Sequence, residues 1–224
     1  MSFPEPILYD IKPTALIPNS LNPLLLYKGV FLKDGKVDAV RALDTFRSNG
    51  WDVQWVTRYG RQQRSHYHAH THEMMIVLSG PGIIRWGSAD LSDDPEEHTY
   101  GDAYEKTGVE VEVEPGDVFV IPAGVAHKSY NPQAEGEAFG VLTGSARGIE
   151  SFKPREKVAE LPLHGFMMMG AYPVGNSWNW GEGGDDIGNY HKIWNIPNPK
   201  YDPLVGANGG IHKYWKQQTY VSKL

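Results

Sequence analysis

Residues 64–73 read RSHYHAHTHE, with histidines at 66, 68, 70 and 72 and a glutamate at 73. Imidazole nitrogens and carboxylate oxygens are ligands for divalent transition metals. In an extended strand, residues two apart point the same way and lie roughly 6.5 Å apart along the chain, so an H-x-H pair can chelate one ion from one face. Three such pairs exist here (66/68, 68/70 and 70/72), and periodicity alone does not choose between them. The chain has no cysteine. That removes disulfides, thiolate metal sites, iron–sulfur clusters and cysteine nucleophiles together, and leaves imidazole and carboxylate to hold any transition metal. The run Met167–Met169 offers soft thioether sulfur suited to copper, but an apolar core strand accounts for it more simply.

The elements that must position these residues are mostly short strands. The chain has 224 residues, 25 of them glycine and 16 proline, and turn signals recur along it. Residues 24–31, LLLYKGVF, read as a first strand. Over 37–50, Val37, Val40, Leu43 and Phe46 recur every three residues and Asn49-Gly50 supplies a stop, which predicts a helix packed on the outside of the core. From Trp51 the period becomes two, placing Trp51, Val53, Trp55, Thr57 and Tyr59 on one face. EMMIVLSG and GIIRWG, joined through GPG, read as a hairpin. Residues 87–108 are acidic and turn-rich and read as an exposed insertion. VEVEVEPGDVFVIPAG, EAFGVLTGS and HGFMMMGAYP supply further strands. The tail from Gly175 has too few periodic positions for a second core and reads as a wrapping extension. Many short antiparallel strands with polar turns mean a barrel or sandwich. The expectation is one domain over 1–224, with its barrel core at about 51–175.

The spacing around the histidines carries a resemblance. Gly60, His66, His68, Glu73 and Gly80 stand at the intervals of the first motif of the cupin superfamily. Gly116, Pro122, Gly124, His127 and Asn131, in GDVFVIPAGVAHKSYN, match the second motif. The chain resembles the cupins, and HYHAHTHE, IPAGVAHK, GAYP and DPLVGANGGIHKYW are similar to a family of uncharacterised single-domain cupins. The resemblance implies an all-β, double-stranded β-helix (jelly-roll barrel) with a few short helices. Carried over position by position, it implies His66, His68, Glu73 and His127 as ligands of one divalent ion per chain (iron, manganese, nickel, copper or zinc). His70 then reads as a solvated loop residue. His72 is a candidate for orienting a ligand or substrate through a hydrogen bond. Trp178, Trp180 and Trp194 either roof a pocket or anchor the tail, and GEGGDD at 181–186 reads as a solvated turn in preference to a mobile lid.

A net charge of −6 and the lack of a basic cluster argue against nucleic acid as partner. No signal peptide or membrane span is readable, so a cytoplasmic protein is expected. Cupins pair by packing extended strands on a neighbour, which implies a homodimer, and the partner is a small-molecule substrate. Three function classes follow: a non-haem dioxygenase or other oxidoreductase acting on a small chelating substrate, which is preferred; a Lewis-acid isomerase, decarboxylase or lyase; and a non-catalytic ligand-binding module.

Overall fold

The apolar runs of the sequence become strands buried on both sides. The computed structural model describes residues 3–134, 136, 139–144, 148–149 and 151–217. The larger sheet has seven strands. In chain order these are β1 (Ile7–Tyr9), β2 (Leu24–Tyr27), β5 (Trp51–Tyr59), β6 (Glu73–Ser79), β9 (Val118–Ile121), β11 (Gly140–Thr143) and β12 (Phe166–Pro173). Across the sheet they run β1-β2-β9-β6-β12-β5-β11, all neighbours antiparallel. A second sheet, in the order β10-β7-β8, is built from β7 (Gly82–Trp86), β8 (Val109–Val113) and β10 (His127–Tyr130). A small ribbon joins β3 (Leu32–Lys33) to β4 (Lys36–Val37). Short helices complete the chain: α1 (Ala39–Ser48), α2 (Pro95–Thr99), α3 (Pro154–Ala159), α4 (Tyr190–Trp194) and α5 (Ile211–Tyr214). No helix among the described residues is long and apolar enough to cross a membrane.

Alternation along the strands sorts side chains into two cores. Met75, Val77, Phe119, Ile121, Met168 and Trp86 fill the space between the two sheets. Met74, Ile76, Val118, Val120, Met167 and Met169 form the other face of the large sheet, covered by Leu43 and Phe46 of α1. A sheet covered on both faces needs continuous apolar strands, which is why EMMIVLS and FMMMGAY lack polar alternation. The three methionines are core residues, as their setting in the sequence suggests. Helix α1 starts where the Asp38 carboxylate accepts the Arg41 N–H at 3.0 Å. It stops at Asn49, followed by Gly50 in the left-handed region.

Three expectations change. Trp51, Val53, Trp55, Thr57 and Tyr59 do not share one face. Val53 pairs with Ala171 and Trp55 with Gly170, so Gln54 is an extra residue and the register shifts there. Trp51 and Val53 consequently pack under α1, while Trp55 and Tyr59 enter the barrel. The bulged Gln54 is held by the tail, donating to Asn176 O at 2.8 Å and accepting from Ser177 Oγ at 2.9 Å. Second, β6 and β7 are no hairpin: β6 pairs with β9 and β12, and β7 with β8 and β10. A Gly-Pro turn reads the same in sequence whether the chain folds back on itself or crosses to the facing sheet.

Third, the 87–108 insertion is exposed only in part. Ser88, Ala89, His98 and Thr99 are buried. Lys128, with a fully buried side chain, donates to Asp90 Oδ1 at 2.5 Å, to His98 Nδ1 at 2.6 Å and to His98 O at 3.0 Å. Arg85 adds bonds to the carbonyls of His98 and Thr99 at 2.9 and 2.7 Å. Of the predicted strand over EAFGVLTGS, Glu137, Ala138 and Ser145 lie outside the described residues, and β11 covers the middle.

Candidate metal centre

Strand parity delivers the glutamate. Glu73 opens β6 opposite Ile121, on the same inward face as Met75 and Val77. The first histidines precede β6 in a stretch held from both sides. His66 exchanges two backbone hydrogen bonds with His127, at 3.1 and 2.8 Å, and Tyr67 exchanges two with Gly181 of the tail, at 2.8 and 3.0 Å. This pairing sets the imidazoles of His66 and His127 side by side, ring centroids 4.4 Å apart, with His68 at 5.6 and 5.3 Å from them. Gly124 fixes the height of His68 by donating its N–H to the His68 carbonyl at 2.9 Å. It does so at φ +87°, where an added Cβ would lie 2.6 Å from the Asn19 carbonyl oxygen.

The ring nitrogens of the three histidines divide cleanly. Each Nδ1 faces a backbone carbonyl: Arg64 O at 3.1 Å for His66, Asn179 O at 2.5 Å for His68 and Val125 O at 3.2 Å for His127. Donation there puts the proton on Nδ1 and leaves Nε2 as a lone pair, the arrangement in which imidazole binds a metal. Among the described residues, these three form the one group of histidines and carboxylates whose ligand atoms, all within 4.8 Å of one another, could hold an ion.

Glu73 stands beside this group, against His68 and His127, with one oxygen tied and one bare. The Tyr172 hydroxyl donates to Oε1, and Tyr172 in turn accepts from Trp55 Nε1 at 3.0 Å. That indole lies over Gly170, where any Cβ would come 2.1 Å from the ring, so strand β12 needs glycine there. Oε2 is buried with no hydrogen-bond partner. It sits 3.2 Å from His68 Nε2 and 3.3 Å from His127 Nε2, aligned with neither for a hydrogen bond. A buried, unpartnered carboxylate oxygen facing imidazole lone pairs is costly unless a cation joins them. The residues present therefore fit a divalent ion.

Protonation follows the same geometry. Burial pushes His66 well below its ordinary pKa, helped by His127 and His68, and pushes His127 down to about 4 despite Glu73. Burial opposes the charge on His68 too, but Glu73 outweighs it and raises the pKa. Burial would raise Glu73; His68, His127 and Tyr172 overcome it and hold the carboxyl below the ordinary range. The carboxylate is thus ionised, and a proton on His68 and a divalent cation compete for it.

The other singled-out residues separate. His72 points away from the cluster, because its neighbour Glu73 takes the inward position. Its Nδ1 accepts from the Ala123 N–H at 3.0 Å, its Nε2 reaches Pro197 O at 3.2 Å and its ring packs on Trp215 at 4.9 Å. Both ring nitrogens are thus engaged by backbone groups, and the ring fastens the tail. His70 is exposed, and its backbone N–H donates to Asn179 Oδ1 at 3.0 Å. Trp178 and Trp180 line the cavity, and Trp180 stacks on His66 at 3.6 Å with planes 6° apart. Trp194 is an anchor, bonded to Pro18 O at 3.0 Å. The GEGGDD stretch is a partly exposed turn, pinned at Gly181 by Tyr67, at Glu182 by Arg64 at 2.8 Å and at Asp186 by the Tyr67 hydroxyl at 2.8 Å.

Reading by motif missed Tyr172, Trp55 and Asn179. Counting by twos from Met168 along β12 points to Tyr172, whereas the Gln54 bulge hides Trp55 and nothing in the sequence marks Asn179. The cluster opens into a cavity of about 310 Å³ between the sheets, walled by Trp55, Met75, Phe139, Val141, Trp178 and Trp180.

Comparison with known proteins agrees with this architecture. Residues 57–161 match the Cupin family profile. That stretch of the chain is a cupin domain. The uncharacterised protein YjlB of Bacillus subtilis (strain 168) is 26% identical over 146 residues, covering 63% of this chain and 72% of its own. Among solved structures, acireductone dioxygenase from Bacillus anthracis, with cadmium in its active centre, is 15% identical at a TM-score of 0.34, over 70% of this cupin and 82% of that chain. Vicilin from Corylus avellana (hazelnut) is 10% identical at 0.27, over 68% of this cupin but only 28% of that chain. These structural likenesses are distant and say nothing about what this cupin binds.

Proposed function

We propose that this cupin is a metal-dependent enzyme, an oxygen-using oxidoreductase acting on a small, metal-chelating and partly aromatic substrate. His66, His68, Glu73 and His127 would hold one divalent ion. The observation that carries the reading is the bare, buried Oε2 of Glu73 between two imidazoles at the floor of an apolar cavity. When bound, the ion supplies positive charge for an anionic oxygen and, if it is iron or copper, electron transfer with dioxygen. Three neutral imidazoles and one carboxylate leave such an ion with one net positive charge, so an enolate, phenolate or carboxylate makes the buried site neutral. The chain's own contribution is positional. Tyr172 ties one oxygen of Glu73, Asn179 fixes His68, and Trp178 and Trp180 line the cavity with apolar surface that disfavours water.

The test is turnover of substrates found by screening, with and without oxygen, by protein loaded in turn with iron, copper, manganese, nickel and zinc. Oxygen-dependent turnover with iron or copper supports the reading. Undiminished anaerobic turnover with manganese or zinc would replace it by Lewis-acid chemistry at the same residues. Tight binding without turnover under any metal would make the barrel a binding module.

A further inference from the structure

The cavity carries a second polar patch that the metal site leaves unused. Thr57 and Tyr59 stand two residues apart on β5 beyond the bulge, and both line the cavity. They are only 4% and 5% exposed, and neither hydroxyl makes a hydrogen bond to another described residue. The Tyr59 ring is fixed edge-on by Phe139 at 5.8 Å and packed on Phe166 at 5.3 Å. Burial, and then the charge of Glu73, push the Tyr59 hydroxyl well above its ordinary pKa, so it stays a neutral donor. Gln63, on the same cavity, spends its oxygen on the Ser129 N–H at 2.6 Å and keeps its amide NH₂ for a further partner. The residues are buried, yet both line the cavity with unpaired hydroxyls; an apolar pocket uses a few such groups to fix a ligand's orientation.

The sign of the wall limits what they can read. Among the described residues lining the cavity there is no lysine or arginine. A phosphate, sulfate or second carboxylate would be buried there without a counter-charge, which is prohibitive. A neutral oxygen carries no such cost.

We propose that Thr57, Tyr59 and Gln63 recognise a neutral oxygen, a hydroxyl or carbonyl, that the substrate carries apart from its metal-binding group. The substrate class is then a flat, apolar-bodied monoanionic chelator with a second, uncharged oxygen function. This rests on the metal-dependent reading above.

The test uses the zinc-loaded protein, which is redox-silent, and measures the affinity of benzohydroxamate against its 3-hydroxy and 4-hydroxy derivatives by calorimetry. These probes share one chelating head and differ by one neutral hydroxyl. At least one hydroxy derivative should bind about 10-fold tighter than the parent, the worth of one net hydrogen bond. In Tyr59→Phe, which keeps the ring packing, and in Thr57→Val, which keeps the shape, that ratio should fall toward one. Zinc-dependent binding with no hydroxyl preference, or a preference that survives both substitutions, overturns the recognition of a neutral oxygen alone. Equal binding of benzohydroxamate with and without zinc overturns the metal site and this proposal with it.

Discussion

Neighbouring residues of β10 point into two different buried polar clusters. His127 faces the barrel with His66, His68 and Glu73; Lys128 faces outward with Asp90, His98 and the Arg85 guanidinium. Both clusters are buried and both combine charge with imidazole. The outer one is almost closed on itself: the Lys128 ammonium has its three donors placed, and one nitrogen of His98 is left bare. The inner one groups three imidazoles, with an unpartnered carboxylate oxygen against two of them, beside a cavity. The difference separates structure from chemistry. A cluster that satisfies its own groups holds elements together, here the 87–108 insertion on the small sheet. A cluster that keeps its lone pairs free is built for something that arrives.

The largest test of that contrast exchanges the two faces. His127→Ala should abolish the thermal stabilisation that added divalent metal gives the wild type, because binding to the native state is what raises Tm. Lys128→Ala should keep the metal response and lose about 3–5 kcal/mol of stability in urea denaturation, since it strands Asp90 in the interior. A Lys128 variant as stable as wild type would mean that the outer cluster holds nothing.

The next effect concerns pH. Burial holds His72 down to about 4, below the roughly 6.5 of an unfolded histidine. The unfolded chain therefore binds the extra proton first as pH falls. The stability His72 contributes is complete above about 6.5 and is lost as pH drops toward 4, by at most about 3 kcal/mol. Denaturation midpoints of the wild type should fall more steeply between pH 7 and 4 than those of His72→Gln. Parallel curves would remove His72 from the account of how the tail is fastened.

Smaller again is Tyr172→Phe, which frees Glu73 Oε1 without moving a ligand. Metal affinity should drop about 10–100-fold, as for other residues that orient ligands, and competition titration with a chromophoric chelator measures it. An unchanged affinity would show that Glu73 needs no such tether. The smallest effect is expected at His70. His70→Ala should keep its metal and stay within about 0.5 kcal/mol of wild type, although it stands in the same alternating run as His66 and His68.

That run shows how far the sequence could be read. Period two puts His66, His68, His70 and His72 on one face of an ideal strand, yet the chain is strand-like only at 66–67 and again from Glu73. Motif spacing separated the inward pair from the rest where periodicity could not. The central strands, the helix over 37–50 and the methionine core were legible because burial on both faces leaves long apolar runs; β1, which precedes the expected first strand at 24–31, and β10 were not. The Gln54 bulge, the crossing between β6 and β7 and the buried Lys128 cluster were not, because each depends on pairing between distant segments. The same holds for Tyr172 and Asn179, which reach the centre from β12 and the tail.

The central claim is that the cluster is a metal site, and elemental analysis of protein purified without added metal tests it most directly. The account predicts about one transition-metal ion per chain in the wild type and none in His68→Ala or His127→Ala. A folded wild type that neither retains nor takes up an ion, or full metal content in both variants, would contradict it.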